Sequence, residues 1–350
     1  MPIIGLDLGR HQFRAVELEQ QKGFYILKNY GNYEGRMLDL DFRSPDAVAN
    51  YTNALKEFIR ERDFSTSGVI VALPEQEVFI RVISTPKLSQ KELNNFIKMN
   101  AEEYIPIPMS EVTFDAQIID SNEVVDKEDS ETGKTMSALL VASKNDILKK
   151  YVELIKSAGF VPKGIEPETL SIERVLGDTL DRPSACIIVN IGVFSTQIIV
   201  SYRGFVRFTR TVSVGGSDLT KAVQKALNLE FNQAEEYKKA YGLDESQVDG
   251  KVYNAIKPVF DNILLEINRS KMYYTTHNPS VIINRVILSG GTALMPGTLL
   301  YIANKLDVEA ELSNPWRTIK ISEKLQKDRD NLIKQGPMYS TAVGLALKEV

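Results

Sequence analysis

The only cysteine, Cys186, lies in an apolar run, so no internal disulfide can form, and its expected role is packing in a reducing compartment. Two histidines, His11 and His277, are too few to build a zinc-type cluster with it. No Ser-His-Asp arrangement and no Gly-x-Ser-x-Gly elbow is visible, which argues against covalent catalysis. A run of about 18 apolar residues is missing, as is a charged start followed by a signal-type apolar core. So is any basic tail or Lys/Arg block, and a net charge of −4 gives no electrostatic reason to expect nucleic acid. Together these absences lead us to expect a cytoplasmic protein, peripheral to any membrane and recruited there by a partner rather than inserted.

What is present is an ordinary globular composition, 43% apolar and 25% charged, over a length that is long for one core and typical of two domains. Residues 3–18 read as two apolar strands joined by a tight loop that carries Asp7 and Gly9. Backbone amides in such a turn, a glycine that allows close approach and a carboxylate at the strand end suit a phosphate and its metal. Alone the signal is weak, because the same ingredients make ordinary hairpins. A second copy strengthens it: with an offset of 183 residues, Asn190 falls on Asp7 and Gly192 on Gly9, and Cys186 to Gly192 matches Ile3 to Gly9. The strands that follow correspond as well, so two similar domains are expected.

Ser44-Pro45-Asp46 marks a helix start, with an apolar face running to about Arg62. Strands are expected over 68–73 and 78–84, within one mixed sheet of the first domain. Residues 85–159 read as an inserted helix, strand, strand, helix unit, with a capping box at Ser89/Glu92 and a last helix over about 145–158. Its two strands are joined by the acidic loop Asp120 to Lys134. Gly133-Lys134-Thr135 imitates the end of a P-loop but lacks the upstream glycine and a following helix, so it reads as a hairpin tip. The domains are therefore expected at 1–84 with 160–182, 85–159, and 183–350, with a subdomain over about 220–285 and a last helix, 338–348, crossing back. Pro258 either starts or bends the long helix predicted from Val252.

In order, the chain carries two hairpin loops at Asp7/Gly9 and Asn190/Gly192, then Ser289-Gly290-Gly291-Thr292 after a strand, and a short helix near the end of each half. That order resembles the actin-like ATPase superfamily. The position of the insertion is similar to that of its FtsA-like branch. The chain looks most like the PilM family of type IV pilus assembly proteins, through residues 5–18, the helix with Lys238, Ile267-Asn268-Arg269-Ser270, Ser289-Gly290-Gly291, Asn314-Pro315-Trp316 and Val343 to Leu347. The implied fold class is α/β, two duplicated mixed-sheet actin-like domains with an FtsA-like insertion in the first.

The resemblance implies ATP or ADP with Mg²⁺. Asp7 would hold the metal through water, the amides of Gly9, Arg10, His11 and Gln12 would meet the terminal phosphates, and Gly192, Val193, Phe194 and Ser195 would supply the opposite set. Glu235 and Lys238 would contact ribose and base, or else form a surface ion pair. Gly215 and Gly216 would border the nucleotide, and Gly290, Gly291 and Thr292 would line the adenosine. Glu166 would order metal-bound water, or simply stabilise a helix N-terminus. Two positions depart from the family pattern: Asn190 replaces the second acid, and Arg10 follows the first loop glycine, its guanidinium either near the phosphates or exposed and turned away. With one carboxylate fewer, binding is expected to survive better than turnover. The implied role is an ATP-binding scaffold that takes the N-terminal cytoplasmic tail of the inner-membrane protein PilN beside the inserted unit, with pilus motor ATPases as further partners. A filament-forming ATPase and a small-molecule kinase are the rival readings.

Overall fold

Each strand of the first hairpin buries one face against a helix and the other against the chain's C-terminal end. In the computed structural model, which describes residues 2–33, 38–120, 135–177 and 185–349, β1 (Pro2–Leu8), β2 (Phe13–Gln21) and β3 (Phe24–Asn32) form an antiparallel meander. A helix, Pro45–Arg62, follows; Ser44 caps it by accepting from the Ala47 amide, and Asp63 ends it in a left-handed conformation. Then come β4 (Gly68–Leu73), β5 (Val78–Pro86), β6 (Val112–Asp120), β7 (Thr135–Lys144) and β8 (Val161–Pro167). The second half contains β9 (Ala185–Ile191), β10 (Thr196–Tyr202), β11 (Phe205–Val212), β12 (Ile283–Ser289) and β13 (Glu309–Leu312), and β14 (Ile319–Ile321) comes last.

The strand order of the first sheet is β14-β3-β2-β1-β4-β8, and that of the second is β11-β10-β9-β12-β13. Apart from β14, the two sheets are copies: an antiparallel meander, then two strands parallel to its first member. The duplication inferred from the 183-residue offset is thus realised in topology. β4 is buried along its whole length, as a continuous apolar run between parallel neighbours must be.

The structure corrects the sequence reading in four places. β5 does not join the first sheet but pairs with β7, and β7 with β6, in a separate three-stranded sheet. Its alternation serves either sheet equally well, and pairing is decided by long-range partners. The helix Asn145–Ser157 covers the first sheet rather than the three-stranded one: Tyr151, Leu154 and Ile155 share a core with Leu6, Phe13 and Leu55. Return to the first half begins well before residue 338, because β14 adds to β3. The first helix of the inserted unit, opened by the Ser89/Glu92 capping box, is also interrupted, at Asn100, into Gln90–Met99 and Ala101–Tyr104. The helix Lys251–His277 runs through Pro258. Gly133 and Lys134 of the P-loop imitation, with residues 121–132, lie outside the described residues.

The last helix, Ser340–Ala346, is buried on all sides between β1 and the helix Glu168–Leu176. Two glycines permit this approach. A Cβ on Gly5 would fall 1.9 Å from the Ala342 carbonyl oxygen, and one on Gly344 would fall 1.9 Å from that of Ser171. Burying Val343 and Leu345 there stabilises the fold by roughly 1.5–3 kcal/mol per side chain. A further cluster, including Ile119 and Leu139 of the three-stranded sheet, Ile172 of the helix Glu168–Leu176, and Cys186, Ile188 and Ile199 of the second sheet, joins those two sheets through that helix. Cys186 is fully buried in this cluster, in the packing role expected. Among the described residues no helix is long and apolar enough to cross a membrane.

Candidate functional site

The ends of β1 and β9 approach each other across the cleft between the sheets. On the first side, hairpin register puts Asp7 directly opposite Arg14 of β2, with Nη1 3.9 Å from the carboxylate. The loop between these strands is held from below: the buried Tyr51 hydroxyl donates to the Gly9 carbonyl at 2.7 Å. A Cβ on Gly9 would press on the Gln12 carbonyl at 2.8 Å, so the tight turn requires glycine. Arg10 turns outward. Its Nε pairs with Asp39 at 2.5 Å, both side chains about half exposed, and its carbonyl accepts from the Leu40 amide at 2.8 Å. Of the two expectations for Arg10, the exposed one holds, and the cation beside Asp7 is Arg14.

The second side repeats the geometry with different chemistry. Asn190 lies opposite Gln197, and Gly192 closes its turn by donating to the Ser195 carbonyl at 2.9 Å. The Gly215-Gly216 turn packs on this loop, because the Gly216 and Ser217 amides donate to the carbonyls of Gly192 (2.9 Å) and Val193 (2.8 Å). Gly216 is packed in turn against the Thr292 hydroxyl and the Lys238 ammonium, since an added Cβ would fall 2.4 Å and 3.3 Å from them. Gly290, at φ +85°, leaves an added Cβ only 2.9 Å from Asn190 Oδ1, and the Gly290 amide donates to the Pro337 carbonyl at 2.8 Å. Asn190, Gly192, Val193, Ser195, Gly215, Gly216, Lys238, Gly290 and Thr292 therefore form one packed cluster, with Gly291 next to it.

Lys238 is buried and donates to the Gly216 carbonyl (3.0 Å), the Thr220 hydroxyl (2.9 Å) and Glu235 (2.6 Å). Burial lowers the Lys238 pKa and works against the Glu235 carboxylate too, but hydrogen bonds from Lys238 and Thr220 leave Glu235 net lowered. The ion pair is real, and it is anchored to the Gly215-Gly216 turn rather than lying on an open helix face.

Glu166 is not at the cleft. Arg174 holds its two carboxylate oxygens at 2.6 and 2.9 Å, and Lys348 adds a third contact at 2.8 Å, tying β8 to the segment just after the C-terminal helix. The carboxylate that faces Asp7 is Glu168, two residues on, at the start of the helix Glu168–Leu176. It accepts from Gln197 of the opposite half. Desolvation, then the charges of Asp7 and Glu75, push its pKa upward. Burial likewise raises Asp7, against the pull of Arg14. Glu75, in the turn after β4, accepts from the Thr169 hydroxyl at 2.6 Å, and desolvation raises its pKa to about 7. The reason for the exchange is geometric: residues 161–167 are strand, so Glu166 lies on the face toward the C-terminal helix, and the turn into the helix swings Glu168 over the cleft.

Reasoning from sequence missed Arg14, Glu168 and Gln197. A signal for two of them was present, since Arg14 and Gln197 are themselves 183 residues apart and each stands seven residues after its loop partner.

Two like-wound sheets, a pair of hairpin loops facing each other over the cleft and a Gly-Gly turn beside the second loop define a protein of the actin-like ATPase fold. The chain belongs to the PilM family, whose model, described as type IV pilus assembly protein PilM, matches residues 5–350. Its structure is similar to that of a PilM-PilN type IV pilus biogenesis complex, at 24% identity over 99% of this chain and 97% of that one, with a TM-score of 0.80. Cell division protein FtsA of Bacillus subtilis (strain 168) is 21% identical over an alignment of 385 residues, 98% of this chain and 82% of that protein. MreB5 of Spiroplasma citri, solved bound to ADP, shares the fold at a TM-score of 0.55 and 12% identity over 98% of this chain and 94% of that one.

Proposed function

We propose that this chain is a nucleotide-binding scaffold of the type IV pilus assembly machine that takes a short peptide from the cytoplasmic tail of PilN and so couples an inner-membrane complex to components in the cytoplasm. Membership of the PilM family over residues 5–350 carries this reading, and the likeness to a PilM-PilN complex supports it. The peptide groove lies between the inserted unit and the first sheet, beside Gln90–Met99 and Ala101–Tyr104. A cavity of about 180 Å³ lies within the inserted unit, between β5 and the helix Ala101–Tyr104, lined by Arg81, Val82, Ile83, Ser84, Glu103 and Tyr104. Titrating a labelled PilN tail peptide into the full chain tests the reading: saturable binding is expected, and no binding at high micromolar concentration overturns it.

The cleft is the nucleotide site in this proposal. The loops at Gly9 to Gln12 and Gly192 to Ser195 take the distal phosphates, the Gly215-Gly216 turn borders the nucleotide, Glu235 and Lys238 reach the ribose and base, and Gly290, Gly291 and Thr292 line the adenosine. Arg14 adds one positive charge at the phosphate end. The donor set fits Mg²⁺: Asp7 and Glu168 are desolvated carboxylates with unfavourable charge, and a divalent cation relieves that. Among the described residues no group of three or more metal-ligating side chains forms a cage, so the ion would be held by Asp7 and Glu168, largely through water, together with the phosphates. When bound it would neutralise phosphate charge. The amides Asn190 and Gln197 on the opposite side orient polar groups without adding charge, which favours holding a nucleotide over consuming it.

A further inference from the structure

The two phosphate-end loops touch at their tips. His11 meets Phe194 edge-on, with ring centroids 4.8 Å apart and an interplanar angle of 65°. Beside them Gln76, in the turn after β4, donates Nε2 to Ser195 Oγ at 3.0 Å. Both tips are braced from behind. The His11 ring nitrogen Nδ1 meets the Leu38 carbonyl, and the carbonyls of Gly192 and Val193 accept from the Gly216 and Ser217 amides. Phe194 stays 41% exposed, so the ring pair is not part of a core.

We propose that the His11–Phe194 pair and the Gln76–Ser195 hydrogen bond form a specificity gate at the phosphate end of the cleft: closed, it accommodates a nucleoside diphosphate, and a third phosphoryl group enters only by parting the tips. The inference rests on the nucleotide-binding reading above, in which both loops take the distal phosphates, so the outermost phosphoryl group belongs where the tips now meet. Two rings in contact leave no space for a tetrahedral group with its charged oxygens. A diphosphate stops short of that point and leaves both contacts intact. One aromatic contact and one neutral hydrogen bond are weak enough to open, so the gate biases between ligands and does not bar one.

The test is calorimetric titration of the full chain with ADP and with a non-hydrolysable ATP analogue, each with Mg²⁺. The wild type is expected to bind ADP more tightly. His11→Ala, Phe194→Ala and Gln76→Ala are each expected to narrow the ratio of dissociation constants by about 2- to 10-fold. The double change at His11 and Phe194 should add little to either single one, because they are two partners of one contact, and His11→Phe should keep the preference. A wild-type preference for the triphosphate analogue, or a ratio that stays the same in every variant, overturns the gate and leaves nucleotide binding standing. Failure of either nucleotide to bind overturns the nucleotide-binding reading and the gate with it. Far-UV circular dichroism identifies any variant that does not fold, and the wild-type ratio then decides.

Discussion

Asp7 lies directly opposite Arg14 in the first hairpin, and the residues 183 further along, Asn190 and Gln197, lie directly opposite each other in the second. The same place in two copies of one motif thus carries an ion pair on one side of the cleft and a pair of amides on the other. One side supplies charge, and the other supplies hydrogen-bonding groups without charge.

Restoring an acid on the neutral side should make the site depend more on a metal. Asn190→Asp is expected to widen, by roughly three- to tenfold, the difference in ADP affinity measured with Mg²⁺ and with EDTA, because a second carboxylate repels the phosphates unless a cation sits between them. An unchanged difference would show that residue 190 does not face the phosphate end.

Arg14 is the countercharge for a desolvated Asp7, and its Nε has no hydrogen-bond partner among the described residues. Replacing it with methionine is expected to reduce ADP affinity about tenfold and, by leaving Asp7 buried without a cation, to destabilise the fold by about 1–3 kcal/mol. Urea unfolding separates the two effects, and Arg14→Lys should recover part of both.

Close contact between the C-terminal helix and the helix Glu168–Leu176 predicts a sharp contrast between two glycines. Gly344→Ala would drive a methyl group to 1.9 Å from the Ser171 carbonyl oxygen, whereas at Gly164 the nearest atoms are Ile70 side-chain carbons at 3.7 and 3.8 Å. The first substitution should cost about 1–3 kcal/mol or more and the second less than about 1 kcal/mol, read from denaturant midpoints.

Glu173 is buried and accepts from the Ser201 hydroxyl at 2.9 Å. Desolvation raises its pKa above the usual 4.5, although Ser201, Arg174 and Arg207 pull it down. A carboxyl group that holds its proton more tightly when folded contributes stability below its ordinary pKa, and that contribution is lost as pH rises through the folded value. Melting temperature should therefore fall with rising pH above about 4.5, and the fall should be shallower in Glu173→Gln, which keeps the acceptor for Ser201 and cannot ionise. Identical slopes in the two proteins would remove Glu173 from the account.

Local signals carried far in this chain wherever neighbours in sequence are also neighbours in space. Ser44 and Pro45 start the first helix, and Ser89 with Glu92 closes a capping box, because caps are satisfied within a few residues. The hairpins at Asp7/Gly9 and Asn190/Gly192 were legible for the same reason, and the offset between them disclosed the duplication that strand order confirms. Partners far apart were not legible. The alternation of residues 78–86 shows a strand but not its neighbour, and the apolar stripe of Asn145–Ser157 shows a buried face but not the sheet that covers it.

Sequence by itself determined that the chain is a duplicated α/β protein with two glycine-bearing loops, one acidic and one amide, since these are properties of short segments and of their repetition. Only the tertiary structure decided which side chains meet. It turned Arg10 out to Asp39 and set Arg14 beside Asp7, gave Glu166 to Arg174 and Lys348 while placing Glu168 over the cleft, and brought His11 against Phe194. Side-chain direction at a strand end depends on where the strand stops and what packs against it, and residues distant in sequence supply both.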